Sequence, residues 1–297
     1  MTTTVLFDAA GPRGRRNVRI ATIVGALVVA GLLALALVRL GANGQLGNEW
    51  LILLDPSTDV PQSLLRALGS TVKAAALGIL FAVPLAALLA IGRLSDHRWV
   101  RLPVSLLVEF FRAVPLLLVI FFLFLGFPIL FGFSLGTLWA LVLGLILYNM
   151  AVIGEIFRAG ILSIDRGQSE AAYALGLRKW QVMTFILVPQ AVTRMLPVLV
   201  SQLVVLLKDT SLGFIIGYVE LLRQARGNVE FFGSRYSLQL YVAATVVYIA
   251  INLLLSWLAR RLERRRRTRT GGAAKIQDDL AVVDPGQMAA GADAHIV

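Results

Sequence analysis

The sequence predicts an all-α fold, a polytopic transmembrane helix bundle of about six spans with one cytoplasmic loop that carries a short helix. Three observations lead there. Of the 297 residues, 58% are hydrophobic and only 15% charged, against roughly 25% charged in ordinary soluble domains. The apolar residues gather in runs near or above the ~18 needed for a helix to cross a hydrocarbon core, and a helix satisfies every backbone donor and acceptor internally there. The basic residues lie mostly between and beyond those runs.

The first run, Ile20 to Val38, follows Arg13, Arg15, Arg16 and Arg19 and precedes Arg39. A secretory signal has the same charge order but an apolar part of about 7–15 residues, so this run reads as a retained helix. Further apolar stretches follow at 68–91, 103–131, 135–153, 186–219 and 240–258. With the N-terminus inside, the inner segments hold Arg13, Arg15, Arg16 and Arg19, then Arg93, Arg98 and Arg101, then Arg158, Arg166, Arg178 and Lys179, then the arginines beyond Leu258. The outer stretch 40–65 has no Lys or Arg and carries Glu49, Asp55 and Asp59. That bias predicts both termini in the cytoplasm. Pro84, Pro115 and Pro197 mark expected kinks, because each lacks a backbone donor.

The net charge of +11 follows from this topology and not from a nucleic-acid-binding face, so no nucleic-acid partner is expected. The arginine cluster after Arg260 serves as a topological stop that also attracts anionic membrane lipid. Past about residue 270 the tail turns Gly/Ala/Asp-rich without helical period and is expected to be disordered. With no cysteine and only His97 and His295, disulfides and thiolate sites are excluded, and neither a metal nor another cofactor is expected. No cluster of His, Cys or paired carboxylates offers acid-base chemistry. The chain has no G-x-x-x-x-G-K-[ST], and none of Lys73, Lys179, Lys208 and Lys275 follows a glycine, so any ATP chemistry must come from another chain.

The loop after the fourth span reads "QSEAAYALGLRKWQVMTFILVP", residues 168–189. Ser163, Asp165 and Ser169 are each able to cap a helix start, since a short side-chain oxygen accepts from unpaired first-turn amides. Glu170 then sits near the helix dipole's positive end, and Gly176 closes the helix in a left-handed conformation. Ala171, Ala172 and Ala174 leave the surface low, which lets another surface approach. Isolated helices under ~12 residues are marginal in water, so this one needs something to dock on: lipid headgroups or a partner protein.

Two charged sites fall at membrane depth, where each charge needs a reason. Lys208-Asp209-Thr210-Ser211 interrupts an apolar run; either the run crosses once with a broken helix in the bundle interior, or the crossing ends near 207 and Lys208 snorkels at the outer interface. Glu109 and Arg112, three apart, share a helix face. They form an intrahelical pair at the cytoplasmic end of the third span, or serve gating or subunit packing.

The spacing Glu170-Ala171-Ala172, three residues, Gly176, nine residues, Ile186, one residue, Val188-Pro189 resembles the signature cytoplasmic loop of permease subunits in binding-protein-dependent ABC importers. Val188 stands where the family usually has Leu. "EFFRAVPLLLVIFF" at 109–122, "GEIFRAGILSIDRGQSEAA" at 154–172 and "LLKDTSL" at 206–212 look like the polar amino-acid branch. The opening "TVLFDAAGPRGRRNVR" and the extra first helix look like glutamate-importer permeases.

The resemblance implies a cytoplasmic N-terminus, extra helix and outer loop at 1–63, a permease core at 64–262 and a basic, then disordered tail at 263–297. It implies a multi-pass subunit of a bacterial cell membrane that moves a polar amino acid, glutamate or glutamine first, without covalent chemistry of its own. Gly167, Gln168, Glu170, Ala171, Ala172, Gly176 and Pro189 would form the ATPase-coupling loop. Glu109, Arg112, Lys208, Asp209, Thr210 and Ser211 would belong to the translocation path or its gates. The implied partners are ATP-hydrolysing ABC subunits, a second permease chain in a homo- or heterodimer, an extracytoplasmic solute-binding protein and the amino-acid substrate. A secondary transporter or channel not driven by ATP is the alternative, though few intramembrane carboxylates and no duplicated half support it.

Overall fold

The computed structural model describes residues 11–281. Residues 4–10 of the opening motif, His295 and the tail from 282 onward lie outside them.

Helix α1 (Pro12–Ala42) starts with a proline in its first turn, where the missing N–H would be unpaired anyway. None of its residues is buried. Two short 3-10 turns, Asn48–Leu53 and Pro56–Thr58, lead to α2 (Val60–Arg93). Along α2 a small-residue face of Ala67, Thr71, Ala74, Ala75, Gly78, Ala82, Ala86 and Ala90 is buried. In a membrane such faces let backbones approach closely, which gains dispersion contacts where water supplies no hydrophobic drive.

The expected third span, 103–131, is not one rod. α3 (Arg98–Ala113) and α4 (Leu116–Phe121) meet at 98°. Pro115 lacks an N–H and pushes the residue before it out of the helical region, and Val114 is accordingly extended, with φ −80° and ψ 127°. From α4 the chain passes through a π turn, Phe122–Gly126, into α5 (Phe127–Phe131). The hydropathy of 103–113 reflects one apolar side of an amphipathic helix, and the limb Leu116–Phe131 leaves it at the Pro115 elbow. Pro84 and Pro197, also expected to mark kinks, lie inside the continuous helices α2 and α9 (below).

α6 (Gly136–Leu162) is the centre of the bundle, with 61% of its apolar window buried against 0% in α1. A methyl group placed on Gly144 would come within 2.6 Å of Ile120, and one on Gly154 within 3.2 Å of the Ala86 carbonyl. The hydrophobic core runs through Ile120, Leu141, Leu145 and Ile153, all fully buried. Beyond α6 come α7 (Arg166–Ala174) and the single turn α8 (Lys179–Gln181). A second π turn, Val182–Leu187, feeds α9 (Val188–Asp209). Both π turns end two residues before a proline, Pro128 or Pro189; the wider turn accommodates a ring that clashes with the preceding carbonyls.

After a 3-10 turn, Thr210–Phe214, the chain forms α10 (Leu221–Phe232) and then α11 (Ser237–Ala281). α11 continues to Ala281, so the disorder expected past about residue 270 does not hold for residues 271–281. Five helical segments among the described residues are long and apolar enough to cross a membrane, and a sixth is reached only when the bent pair α3 to α5 is counted as one span. No strand occurs among the described residues.

Candidate functional site

Of the three candidate caps in the loop after α6, Asp165 is the one used: its carboxylate accepts the Gly167 N–H at 2.7 Å. α7 therefore starts at Arg166, and Glu170 lies in its second turn. Gly176, at φ 80°, ends the helix by donating its N–H to the Tyr173 carbonyl at 2.9 Å, while the Leu177 N–H reaches Ala172 at 3.2 Å. A methyl at Gly176 would touch nothing within 4 Å, so the requirement for glycine here is conformational.

Gly167, Gln168, Glu170, Ala171, Gly176 and Pro189 are exposed, and only Ala172 turns inward, at 5%. Leu175 is 83% exposed, and Tyr173 two positions before it and Trp180 five positions after it are also exposed. Exposed apolar residues on a short capped helix are the arrangement of a surface waiting for a groove. The segment is tied back to the bundle at its edges. Lys179 bridges to Asp96 in the α2–α3 loop, and this ammonium holds the Asp96 carboxyl below the usual carboxylate range. Gln190 meets Gln168 at 3.3 Å, and Arg194 donates to the Ser163 carbonyl at 2.6 Å.

Glu109 and Arg112 do pair, at 3.5 Å, but within a larger seam. Arg93 at the end of α2 reaches Glu109 at 3.1 Å and Glu155 of α6 at 2.6 Å, and Glu155 also takes Arg158 at 2.6 Å. The Arg93 side chain is only 12% exposed. Three helices are thus joined by alternating charges at one end of the bundle, where each buried charge has a partner. Arg93 and Glu155 were not singled out from sequence, although the family-like string at 154–172 contains the latter.

At the other end, Lys208-Asp209-Thr210-Ser211 marks the change from α-helix to 3-10 turn, so the break expected from these residues is present close to the end of the long helical segment Lys179–Phe214. Lys208 is exposed, Asp209 and Ser211 half-buried, and Thr210 fully buried with its hydroxyl on the Leu207 carbonyl at 2.7 Å. Lys208 and Ser211 line a groove of about 550 Å³ between α9 and α11, with Thr245, Tyr248 and Asn252 on its far wall. The buried Oδ1 of Asn252 has no hydrogen-bond partner among the described residues.

Behind this groove lies Glu220, fully buried, which the sequence reading passed over. Its carboxylate caps α10 by accepting from Leu222 N–H at 2.9 Å and Arg223 N–H at 2.7 Å, and it also takes the Tyr248 hydroxyl. A glutamate between an apolar turn and an amphipathic helix was the available signal. Nearby, the Leu221 N–H donates to Thr71 at 3.2 Å and Asn228 to Ser63 at 3.1 Å, which fastens α10 to α2. No group of three or more potential metal ligands occurs among the described residues.

Residues 74–268 match the family described as the inner membrane component of binding-protein-dependent transport systems. The glutamate transport system permease protein GluD of Corynebacterium glutamicum is 38% identical over 232 residues, 77% of this chain and 84% of that protein. The probable glutamine ABC transporter permease protein GlnP of Bacillus subtilis is 41% identical over 175 residues, 57% of this chain and 80% of its own. Among solved structures, the crystal structure of an amino acid ABC transporter with histidines superposes with a TM-score of 0.65 at 30% identity, covering 69% of this chain and 94% of that one.

Proposed function

The chain belongs to the inner-membrane permeases of binding-protein-dependent transport systems, and on that premise we propose that it is the translocating subunit of an importer for glutamate or glutamine. It is a translocating component and not an enzyme; ATP is hydrolysed on separate subunits. The observation that carries the reading is the segment from Asp165 to Gly176, a capped helix whose Glu170 has no ion-pair partner among the described residues and whose apolar side chains face outward.

In this mechanism ATP binding closes two ATPase subunits on α7 of two permease chains, with Gly167, Gln168, Glu170, Ala171, Ala172, Gly176 and Pro189 shaping the contact. The segment's ties through Lys179 to Asp96 and through Arg194 to Ser163 pass the movement to α3 and α9. The Arg93–Glu109–Arg112–Glu155 seam gates the cytoplasmic end, and Lys208, Asp209, Thr210 and Ser211 line the path toward the outer end. A solute-binding protein delivers the amino acid to that outer face. Both termini lie in the cytoplasm, which agrees with the count of basic residues on each side.

Uptake of labelled glutamate and glutamine in a strain deleted for this chain tests the reading. Restored uptake by the wild-type chain, lost in Glu170→Ala with normal membrane insertion and with continuing ATP hydrolysis by the complex, is expected. Wild-type uptake in Glu170→Ala and in a Gly176 variant together would remove the coupling assignment, and uptake abolished by collapse of the ion gradient at constant ATP would favour a secondary transporter.

A further inference from the structure

Helix α3 has three faces. Val104, Val108 and Phe111 turn toward the bundle, with Val108 fully buried and Val104 against Gly92 of α2. Arg98, Arg101, Ser105, Glu109 and Arg112 follow on a second face by the 100° advance per residue. The third face is apolar and uncovered: Trp99 is 93% exposed, Leu102 and Leu106 63% each, and Phe110 59%. Four large apolar side chains in one row are not left in water by a soluble surface.

The row has a geometric setting. α3 stands at 98° to the limb that begins with α4, so when that limb crosses the bilayer, α3 lies almost in the membrane plane. The uncovered surface continues past the Pro115 elbow onto Leu118, Phe122 and Leu125, each more than half exposed on the crossing limb. A tryptophan at the first turn with arginines next to it is the arrangement that membrane interfaces favour.

We propose that α3 is an in-plane anchor in the leaflet at the coupling end, its Trp99–Leu102–Leu106–Phe110 row seated among acyl chains and Arg98 and Arg101 facing anionic phospholipid headgroups. The leaflet assignment rests on the orientation proposed above; the contact with lipid does not. Of the carboxylates close by, Asp96 is engaged by Lys179 and lies in the field of Arg101, and Glu109 is engaged by Arg93 and Arg112. Arg98, at the N-terminal start of the row, is left to face the headgroups. Because Asp96 lies two residues before the start of α3, lipid held by α3 would fix the point against which the coupling segment moves.

The chain has no cysteine, so single-cysteine spin labels report positions directly. Labels at 102, 105, 106 and 110 are read in the assembled permease–ATPase complex in phosphatidylcholine vesicles with and without phosphatidylglycerol. Labels at 102, 106 and 110 are expected to be reached by membrane-dissolved oxygen and shielded from a water-soluble nickel chelate, and the label at 105 to show the reverse. Nickel access along the whole row would mean a solvated helix; exclusion of both reagents would mean a protein cover, such as a second copy. Either result overturns the proposal. Phosphatidylglycerol should raise the oxygen-to-nickel ratio at 102, and Arg98→Gln with Arg101→Gln should abolish that rise; the same response in both chains would remove the headgroup contact. These readouts do not use transport, so they stand or fall separately from the importer assignment.

Discussion

The coupling segment and the seat of Glu220 are built on opposite principles. Between Asp165 and Gly176 nearly every side chain is exposed and the hydrogen bonds that cap the helix are local, spanning two to five positions in the chain, with Gln168 to Gln190 the one longer tie among the described residues. Around Glu220 the side chains are buried and their bonds reach far: Tyr248 is 28 positions away, while Leu221 bonds Thr71 across 150 and Asn228 bonds Ser63 across 165. A short helix that spends its polar groups on its own caps leaves its outer surface for another molecule. A carboxylate with three donors in a dry site holds elements together and has nothing left to offer. The first region transmits, and the second fixes what is moved.

The largest test of that contrast is Glu220→Leu. It strands two backbone N–H groups and the Tyr248 hydroxyl, and buried unsatisfied groups cost about 1–3 kcal/mol each. Thermal unfolding of the purified protein should show a loss of about 3 kcal/mol or more, with Glu220→Gln, which keeps a carbonyl acceptor, clearly milder. Next is Arg93→Ala. It removes the bridge between Glu109 and Glu155, and a hydrogen bond to a charged group contributes about 1.5–3 kcal/mol; a stability loss near 2 kcal/mol is expected. Equal stability of either variant and the wild type would mean these seams do not hold the bundle.

Gly176→Val belongs to the other region and should behave differently. Placing a β-branched residue in a left-handed conformation costs about 1–2 kcal/mol, confined to a position where an added methyl meets nothing within 4 Å. The protein should insert and unfold close to normally while uptake per ATP hydrolysed falls steeply. Were this variant as unstable as Glu220→Leu, the segment would be a structural element and the contrast would fail.

The same contrast explains what was legible in the sequence. Caps, glycine turns and small-residue faces are local signals, so α7 and its Gly176 end could be read from neighbouring residues, while its start was narrowed to Ser163, Asp165 or Ser169 and only the structure selects Asp165. The Glu109–Arg112 pair was legible because three positions suffice to place two side chains together. Arg93 was not, since its partner Glu155 is 62 positions away and only the packing of α2 on α6 brings them together. Residues 208–211 announced a break in the helix but not the groove beside it, whose far wall belongs to α11. The run 103–131 concealed its elbow for another reason: hydropathy averages over faces, so one exposed apolar row on α3 read the same as a crossing, and Pro115 signalled a bend without its angle.

The smallest expected effect lies where the coupling segment meets the bundle, at Lys179 and Asp96. Both side chains are largely solvated, and such pairs contribute little to stability, but this one joins the coupling segment to the α2–α3 loop. The Asp96 carboxyl is held below its ordinary range, first by its hydrogen bond to Lys179. A depressed folded-state value means that the bridge contributes fully above the ordinary carboxylate range and is lost as pH falls through the folded value. The stability difference between wild type and Asp96→Asn should therefore be small at neutral pH and vanish on acidification, whereas the coupling ratio of uptake to hydrolysis should already be lower in Asp96→Asn at neutral pH. A solvated pair that affects coupling but hardly affects unfolding is a connection through which force passes; one that affects neither would leave Arg194 and Ser163 as the route from the segment into the bundle.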